Sequence, residues 1–329
     1  MDRRWTIRPA TEQDFAGITV AETDRGPEPL SETEIRDWDS YRRKDKEFPS
    51  EWFVALDASA AKGVGVDGFL GWGEWGQASW LAPDERYVYV GVPISKRGMG
   101  VGTYLLNHLE ALAKRDNTKA IRAWGRGNDV DSLKWAETRG YVIERRRTEG
   151  LLDLVEFDDS KFQSDVDRVK SSGIEIVTVW DREMDPYLPG MHKVDIQTAR
   201  DVPFRSAEAA DPGFESWVLE YTEVSAHLMV ALALREGEVV GLTNIYMPVI
   251  EGQSAGIGYT GVLKEHRGKG IAFALKVVAA SEAAKAGATR IRTQNDPDNP
   301  AILRLNEKLG FRPVPGSFIL KKSLAQQEE

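Results

Sequence analysis

The chain has 329 residues, 41% of them apolar and 29% charged, with 43 Lys and Arg against 52 Asp and Glu for a net charge of −9. That length suits two domains or one large one. The acidic balance excludes a general nucleic-acid binder, which needs a basic face for phosphate, and favours a cationic small-molecule partner. There is no Cys, and His108, His192, His227 and His266 show no metal-ligand spacing, so disulfides, thiolate nucleophiles and Cys-built metal sites are excluded and no metal is expected. No apolar run approaches about 18 residues, and the N-terminus has no apolar signal core; a cytoplasmic protein with no membrane partner is expected.

In chain order, Trp5–Pro9 predicts an opening strand, and Thr11–Ala21 and Glu32–Lys46 predict helices. Glu51–Leu56, Gly68–Trp75 and Arg86–Val92 read as a strand meander, rich in β-branched and aromatic residues and bounded by Gly, Pro or Asp. A glycine-rich turn leads into a helix at Val101–Lys114, a strand at Ala120–Trp124, a helix at Asp131–Thr138 and a closing strand. Residues 158–172 are polar apart from Phe162, Val166 and Val169, and read as a linker with room for a short helix.

The same order then recurs. Ile174–Val179 opens, Pro212–Thr222 is helical, and His227–Leu234, Val239–Met247 and Gly256–Val262 form a meander. A second glycine turn precedes a helix at Ile271–Ala286, where Ile271, Leu275, Val278 and Ala279 keep helical spacing. A strand at Arg290–Thr293, a helix at Pro300–Lys308 and closing strands complete the copy. One offset of 170 maps Gly71 onto Gly241, Tyr89 onto Tyr259, Ile121-Arg122 onto Ile291-Arg292 and Gly140-Tyr141 onto Gly310-Phe311 without a gap. A register held that long is the mark of a duplicated domain. The expected organisation is 1–157, a linker over 158–172, and 173–329, with α+β copies each built on a mixed, mostly antiparallel sheet flanked by helices.

Both copies place Arg-Gly-x-Gly-x-Gly/Ala between a strand and a helix: Arg97, Gly98, Gly100, Val101 and Gly102 in the first, and Arg267, Gly268, Lys269, Gly270, Ile271 and Ala272 in the second. Glycine lets the loop turn tightly and gather N–H groups, and the helix start adds partial positive charge. The product is an anion cradle, and a pyrophosphate is its natural occupant. The glycine spacing is wrong for a dinucleotide fingerprint, and no GxxxxGK[ST] loop exists.

These loops, with Asn299…Gly310-Phe311 further on, resemble the GCN5-related N-acetyltransferases (GNAT), whose pattern is [Q/R]-x-x-G-x-[G/A] after a central strand. The tandem layout resembles mycothiol-synthase-like two-domain acetyltransferases. The resemblance implies acetyl-CoA or another acyl-CoA as co-substrate. Its pyrophosphate would lie on the glycine loop, and its pantetheine arm would pair with the backbone of Val90–Val92 or Thr260–Val262. It also implies direct transfer to a small-molecule amine, with an oxyanion donor near Val262 or Val92 and a Tyr seven residues after the Asn as acid. That Tyr position holds Asn306 in the second copy and Ala136 in the first. No general acid is therefore assigned, although Asn306 can donate a hydrogen bond to sulfur, and the second copy is expected to do the chemistry. A catalytically silent CoA-binding protein is the alternative.

Candidate bases are Glu215, Glu220, Glu223 and Glu251. Glu220 is preferred because it stands beside Trp217 and Tyr221, where burial raises a carboxyl pKa; Tyr259 is a candidate for orienting a water. Asn244 and Tyr246 alternate on one strand face. Asn299 before Pro300 is read first as a helix cap and second as a ligand contact. His266 is expected in an exposed loop, Trp72, Trp75 and Trp80 in the core, and Arg145–Arg147 at a solvated strand end. The chain is expected to be a monomer or homodimer.

Overall fold

The computed structural model describes residues 5–60, 68–202, 205–223 and 227–324, with the side chains of residues 60, 220 and 223 left out of the description. In the first half, β1 (Trp5–Pro9) is followed by α1 (Phe15–Arg25) and α2 (Glu32–Lys44). The meander is β2 (Ser50–Asp57), β3 (Phe69–Gly76) and β4 (Glu85–Gly91). After it come α3 (Val101–Arg115), β5 (Ala120–Arg126), α4 (Val130–Glu137) and β6 (Val142–Asp153). The stretch read as a linker carries α5 (Gln163–Ser171), whose Val166 and Val169 are buried.

The second half runs β7 (Glu175–Trp180), α6 (Leu188–Ala199), α7 (Phe214–Glu223), β8 (Leu228–Arg235), β9 (Glu238–Tyr246) and β10 (Ala255–Val262). It ends with α8 (Ile271–Lys285), β11 (Arg290–Asn295), α9 (Pro300–Leu309) and β12 (Arg312–Ser323). Helix starts follow local chemistry. Ser31 and Glu34 form a reciprocal capping box at α2, and Asp129 and Asn299 cap α4 and α9. Helix α6 has no counterpart among the expected elements, because it begins Leu188-Pro189-Gly190 after a 3₁₀ stretch, a poor helical signal. Among the described residues no helix is long and apolar enough to cross a membrane.

The twelve strands of the described residues join one sheet, in the order β1-β2-β3-β4-β5-β12-β6-β11-β10-β9-β8-β7. The closing strands are exchanged between halves. β12 pairs antiparallel with β5, placing Ser323 opposite Ala120, while β6 pairs antiparallel with β11, placing Asp153 opposite Arg290. The offset of 170 turns one pairing into the other, so the exchange is reciprocal and the molecule has an internal pseudo-two-fold at the β6–β12 contact. Phe318 and Leu320 of β12 consequently pack into the first half's core with Val88, Leu109 and Ile121. Arg145–Arg147 lie within β6 at this crossing, not at a solvated strand end: Arg145 pairs with Asp296 at 2.9 Å and the Arg146 guanidinium covers the Phe318 ring. The reason is that β6 continues to Asp153 to reach the second half.

Candidate active site

The parallel ladder between β10 and β11 stops at Ile257 opposite Thr293, and the ladder between β4 and β5 stops at Tyr87 opposite Arg122. Beyond each stop the strands part, and a cleft opens under the helix that follows the glycine loop. The second-half cleft measures about 680 Å³ and the first-half cleft about 590 Å³. Each unpaired strand edge offers its main chain to an extended ligand.

The loops behave as their composition demands. Gly98 and Gly100 have φ of 75° and 93°, and Gly268 and Gly270 have φ of 76° and 83°, in the left-handed region that only glycine enters cheaply. Gly270 is the N-cap of α8, so the N–H groups of Ile271, Ala272 and Phe273 have no intrahelical carbonyl to bond, and all three residues line the cleft. This is an anion cradle, and the residues fit the pyrophosphate of an acyl-CoA. The Arg of each loop braces the strand end: Arg267 Nε donates to the Val262 carbonyl at 2.8 Å and its Nη2 to Asp201 at 2.6 Å, while Arg97 Nε donates to the Val92 carbonyl at 3.2 Å. Lys269 is exposed, with Nζ on the Glu265 carbonyl. Val90, Val101 and Gly102 line the first cleft, and Thr260, Val262, Ile271 and Ala272 line the second.

A difference between halves lies in the central strand. β10 carries a bulge between Ile257 and Thr260, whereas the β3–β4 register is unbroken from Trp72↔Gly91 to Gly76↔Tyr87. The bulge is held by side chains of β9. Asn244 Oδ1 accepts from the Tyr259 N–H at 2.5 Å, and Thr243 Oγ1 donates to the Tyr259 carbonyl at 3.1 Å and accepts from the Thr260 hydroxyl at 2.7 Å. Gly261 matters here because a Cβ would lie 2.5 Å from Thr198 Oγ1, so α6 sits directly on the strand end. Tyr259 OH meets that same Thr198 hydroxyl at 2.6 Å, and burial raises its pKa.

On the acceptor side, Trp217, Tyr221, Asn244 and Tyr246 line the cleft together with Asp195 of α6. Asp195 Oδ2 accepts from Trp217 Nε1 at 2.6 Å, and burial holds its carboxyl above the ordinary carboxylate range despite that bond. The Trp217 and Tyr221 rings stand 4.3 Å apart and wall this carboxyl. The sequence reading missed Asp195 because it missed α6. Of the bases it favoured, Glu215 and Glu251 are exposed and outside the cleft lining, and the side chains of Glu220 and Glu223 on α7 lie outside the described residues.

At the far end, Asn306 does not face solvent. It is 5% exposed, because α9 turns it inward against α8, and its Oδ1 accepts from Lys276 Nζ at 2.7 Å. Lys276 itself lines the cleft. The offset equivalents in the first half are Leu106 and Ala136, both buried and both lining the first cleft. Asn299 caps α9 by accepting from the Ile302 N–H at 3.2 Å and also lines the cleft. His266 is half-buried in the cleft wall and not exposed, because the 3₁₀ turn Lys264–His266 tucks it under the strand end. Trp72 is buried in the core and Trp75 packs against it, but Trp80 leaves the core to line the second cleft, its ring 4.8 Å from Trp124.

A sheet parted at its central strand, with a glycine loop and helix at the opening, defines an acyl-CoA transferase architecture, present here twice. Residues 193–311 match the model of the Acetyltransferase (GNAT) family. The chain is similar in structure to a tandem GNAT protein from the clavulanic acid biosynthesis pathway, with a TM-score of 0.73 at 16% identity over 98% of this chain and 100% of that one. It is also similar to a GCN5-related N-acetyltransferase from Sphaerobacter thermophilus, with a TM-score of 0.65 at 18% identity over 99% of this chain and 98% of that one. No curated protein sequence matches the chain. Residues 193–311 thus resemble the GNAT family in sequence, and the whole chain has the fold of tandem GNAT proteins.

Proposed function

We propose that this protein is an acyl-CoA-dependent N-acyltransferase that acetylates a small-molecule amine by direct transfer in its second-half cleft, within a cytoplasmic monomer or homodimer. The observation that carries the reading is the content of that cleft. It joins the glycine cradle, a bulged strand end and the Asp195 carboxyl in one cavity. Acetyl-CoA would place its pyrophosphate on Gly268–Ala272, with Asn299 beside it, and its pantetheine along Thr260–Val262. A backbone N–H near Val262 would steady the oxyanion.

Asp195 suits the base role. A carboxyl raised toward neutrality takes a proton from an ammonium more readily at physiological pH than a solvated one, and the aromatic walls suit a cation. Tyr259 would orient the acceptor or a water through its hydroxyl. The first-half cleft, with Val90–Val92 and Arg97–Gly102, would bind CoA without turnover, because Leu106 and Ala136 supply no proton at its reacting end.

Calorimetry with acetyl-CoA and thiol release over a panel of amines test this. Acetyl-CoA binding with amine-dependent thiol release is the expected result. Binding without turnover on any amine would favour the silent CoA-binding protein instead.

A further inference from the structure

Lys276 is a cation placed where the fold does not need one. It is 2% exposed in the wall of the second cleft, on α8. Its one hydrogen bond among the described residues goes to the neutral Asn306, and no carboxylate pairs with it. From the turn after α9, the Phe311 ring lies 5.6 Å from Nζ. Burying an ammonium without a counter-ion is costly. The first half meets the same packing demand with Leu106 and Ala136 and carries no such cost. The charge therefore serves the cleft.

We propose that Lys276, oriented by Asn306, is the proton donor to the departing thiolate in the second cleft. The proposal rests on the acyl-CoA reading above and supplies the acid that the missing Tyr leaves open. When the tetrahedral intermediate collapses, the carbon–sulfur bond breaks and its electron pair goes to sulfur. Lys276 Nζ gives sulfur a proton and becomes the neutral amine. The acceptor ammonium loses two protons overall: one replaces the proton given by Lys276, and the other leaves through the base to solvent. Burial alone lowers the Lys276 pKa to about 7, below a free thiol at about 8.5, so the transfer to sulfur is downhill and the ammonium is still populated at neutral pH.

The test uses Lys276→Leu, the residue the first half packs at this position, in the full chain. The first readout is kcat on acetyl-CoA as a function of pH. In the wild type it is expected to fall as pH rises through about 7, because the donor loses its proton there, and that limb should be absent in K276L. The second readout compares two donors. On acetyl-CoA, K276L should lose about a hundredfold or more in kcat; on the acetyl thioester of an electron-poor thiophenol, whose thiolate leaves unprotonated, it should stay within about threefold of wild type. Equal losses on both donors, or the same high-pH limb in both proteins, overturn the proposal and leave acyl-CoA use standing. Failure of CoA to bind at all overturns both.

Discussion

The first cleft ends against Leu106 and Ala136; the second, 170 residues on, ends against Lys276 and Asn306. The glycine loops of the two are nearly superposable in their backbone angles. The acceptor sides differ as much as the far ends. In the first half, Glu22 accepts from Tyr89 OH at 2.6 Å and from Trp72 Nε1 at 3.0 Å, and Arg25 bonds the same Tyr89 hydroxyl, so the pocket's polar groups satisfy one another. Glu74 accepts from Tyr87 OH at 2.7 Å, and burial raises its pKa. Its offset equivalent in the second half is Asn244, which instead holds a bulge. On the proposed reading, the two halves share the main-chain cradle for a phosphate and differ in the side chains placed nearest the reacting atoms. Backbone cradles tolerate sequence drift; proton donors do not.

The largest effect should come from disabling one loop at a time. Gly270→Glu and Gly100→Glu each put a side chain at a positive φ, costing each loop a similar 1–2 kcal/mol or so of strain, and each adds negative charge to an anion cradle. G270E is expected to reduce turnover by about a thousandfold or more, and G100E to leave it within about twofold while removing one acetyl-CoA site in calorimetry. Loss of turnover in G100E alone would move the chemistry to the first half.

Next in size is Asp195→Asn. It keeps the Trp217 hydrogen bond but cannot take a proton, and kcat should fall by about a hundredfold. A base works only when deprotonated, so kcat/KM in the wild type should rise with pH through the raised Asp195 pKa, and that limb should flatten in D195N. Acetyl-CoA affinity should not change. A D195N enzyme with an unaltered pH profile would return the base role to α7.

The repeat, the loops and the alternation of strands and helices were legible in the sequence because each rests on local chemistry: glycine at positive φ, capping residues, apolar period. Asn306 was legible as a departure from Tyr, and Lys276 was within reach by the same offset, as a charge on the apolar helix that opens at Ile271. Asp195 was not, because Pro189 and Gly190 blur the start of α6 and hide the helix that presents it. The exchange of β6 and β12 was not legible either. A duplicated chain offers each closing strand two nearly equivalent edges, β5 and β11, and no local signal chooses between them.

That exchange gives a test of how far the halves are separate. Leu320 of β12 is 3% exposed in the first half's core, although it lies near the end of the chain. Leu320→Ala should cost about 2–3 kcal/mol and lower a single cooperative unfolding transition, read by denaturant titration. Two transitions, with only the later residues affected, would show that each half folds on its own strands. For the same reason the repeat units 1–157 and 173–329, expressed alone, are expected to be insoluble or to require each other, since each leaves one long strand edge uncovered.

The smallest effect is on stability and comes from the charge itself. Lys276 titrates at about 7 in the folded protein, against about 10.4 for an unfolded lysine. Below pH 7 both states hold the proton, and the folded state carries the full cost of the buried ammonium. Between about pH 7 and 10 the unfolded chain still holds the proton and the folded one does not, so this group makes stability rise with pH. Lys276→Leu removes that rise. It leaves Asn306 Oδ1 without its donor, which offsets part of the gain, so K276L should be more stable than wild type by about 1–2 kcal/mol at pH 6, with the advantage shrinking toward pH 10. Thermal melts of the two proteins across that range measure it. A variant that is more stable and less active would mark Lys276 as a group kept for the cleft at the expense of the fold, the reverse of what Leu106 does in the first half.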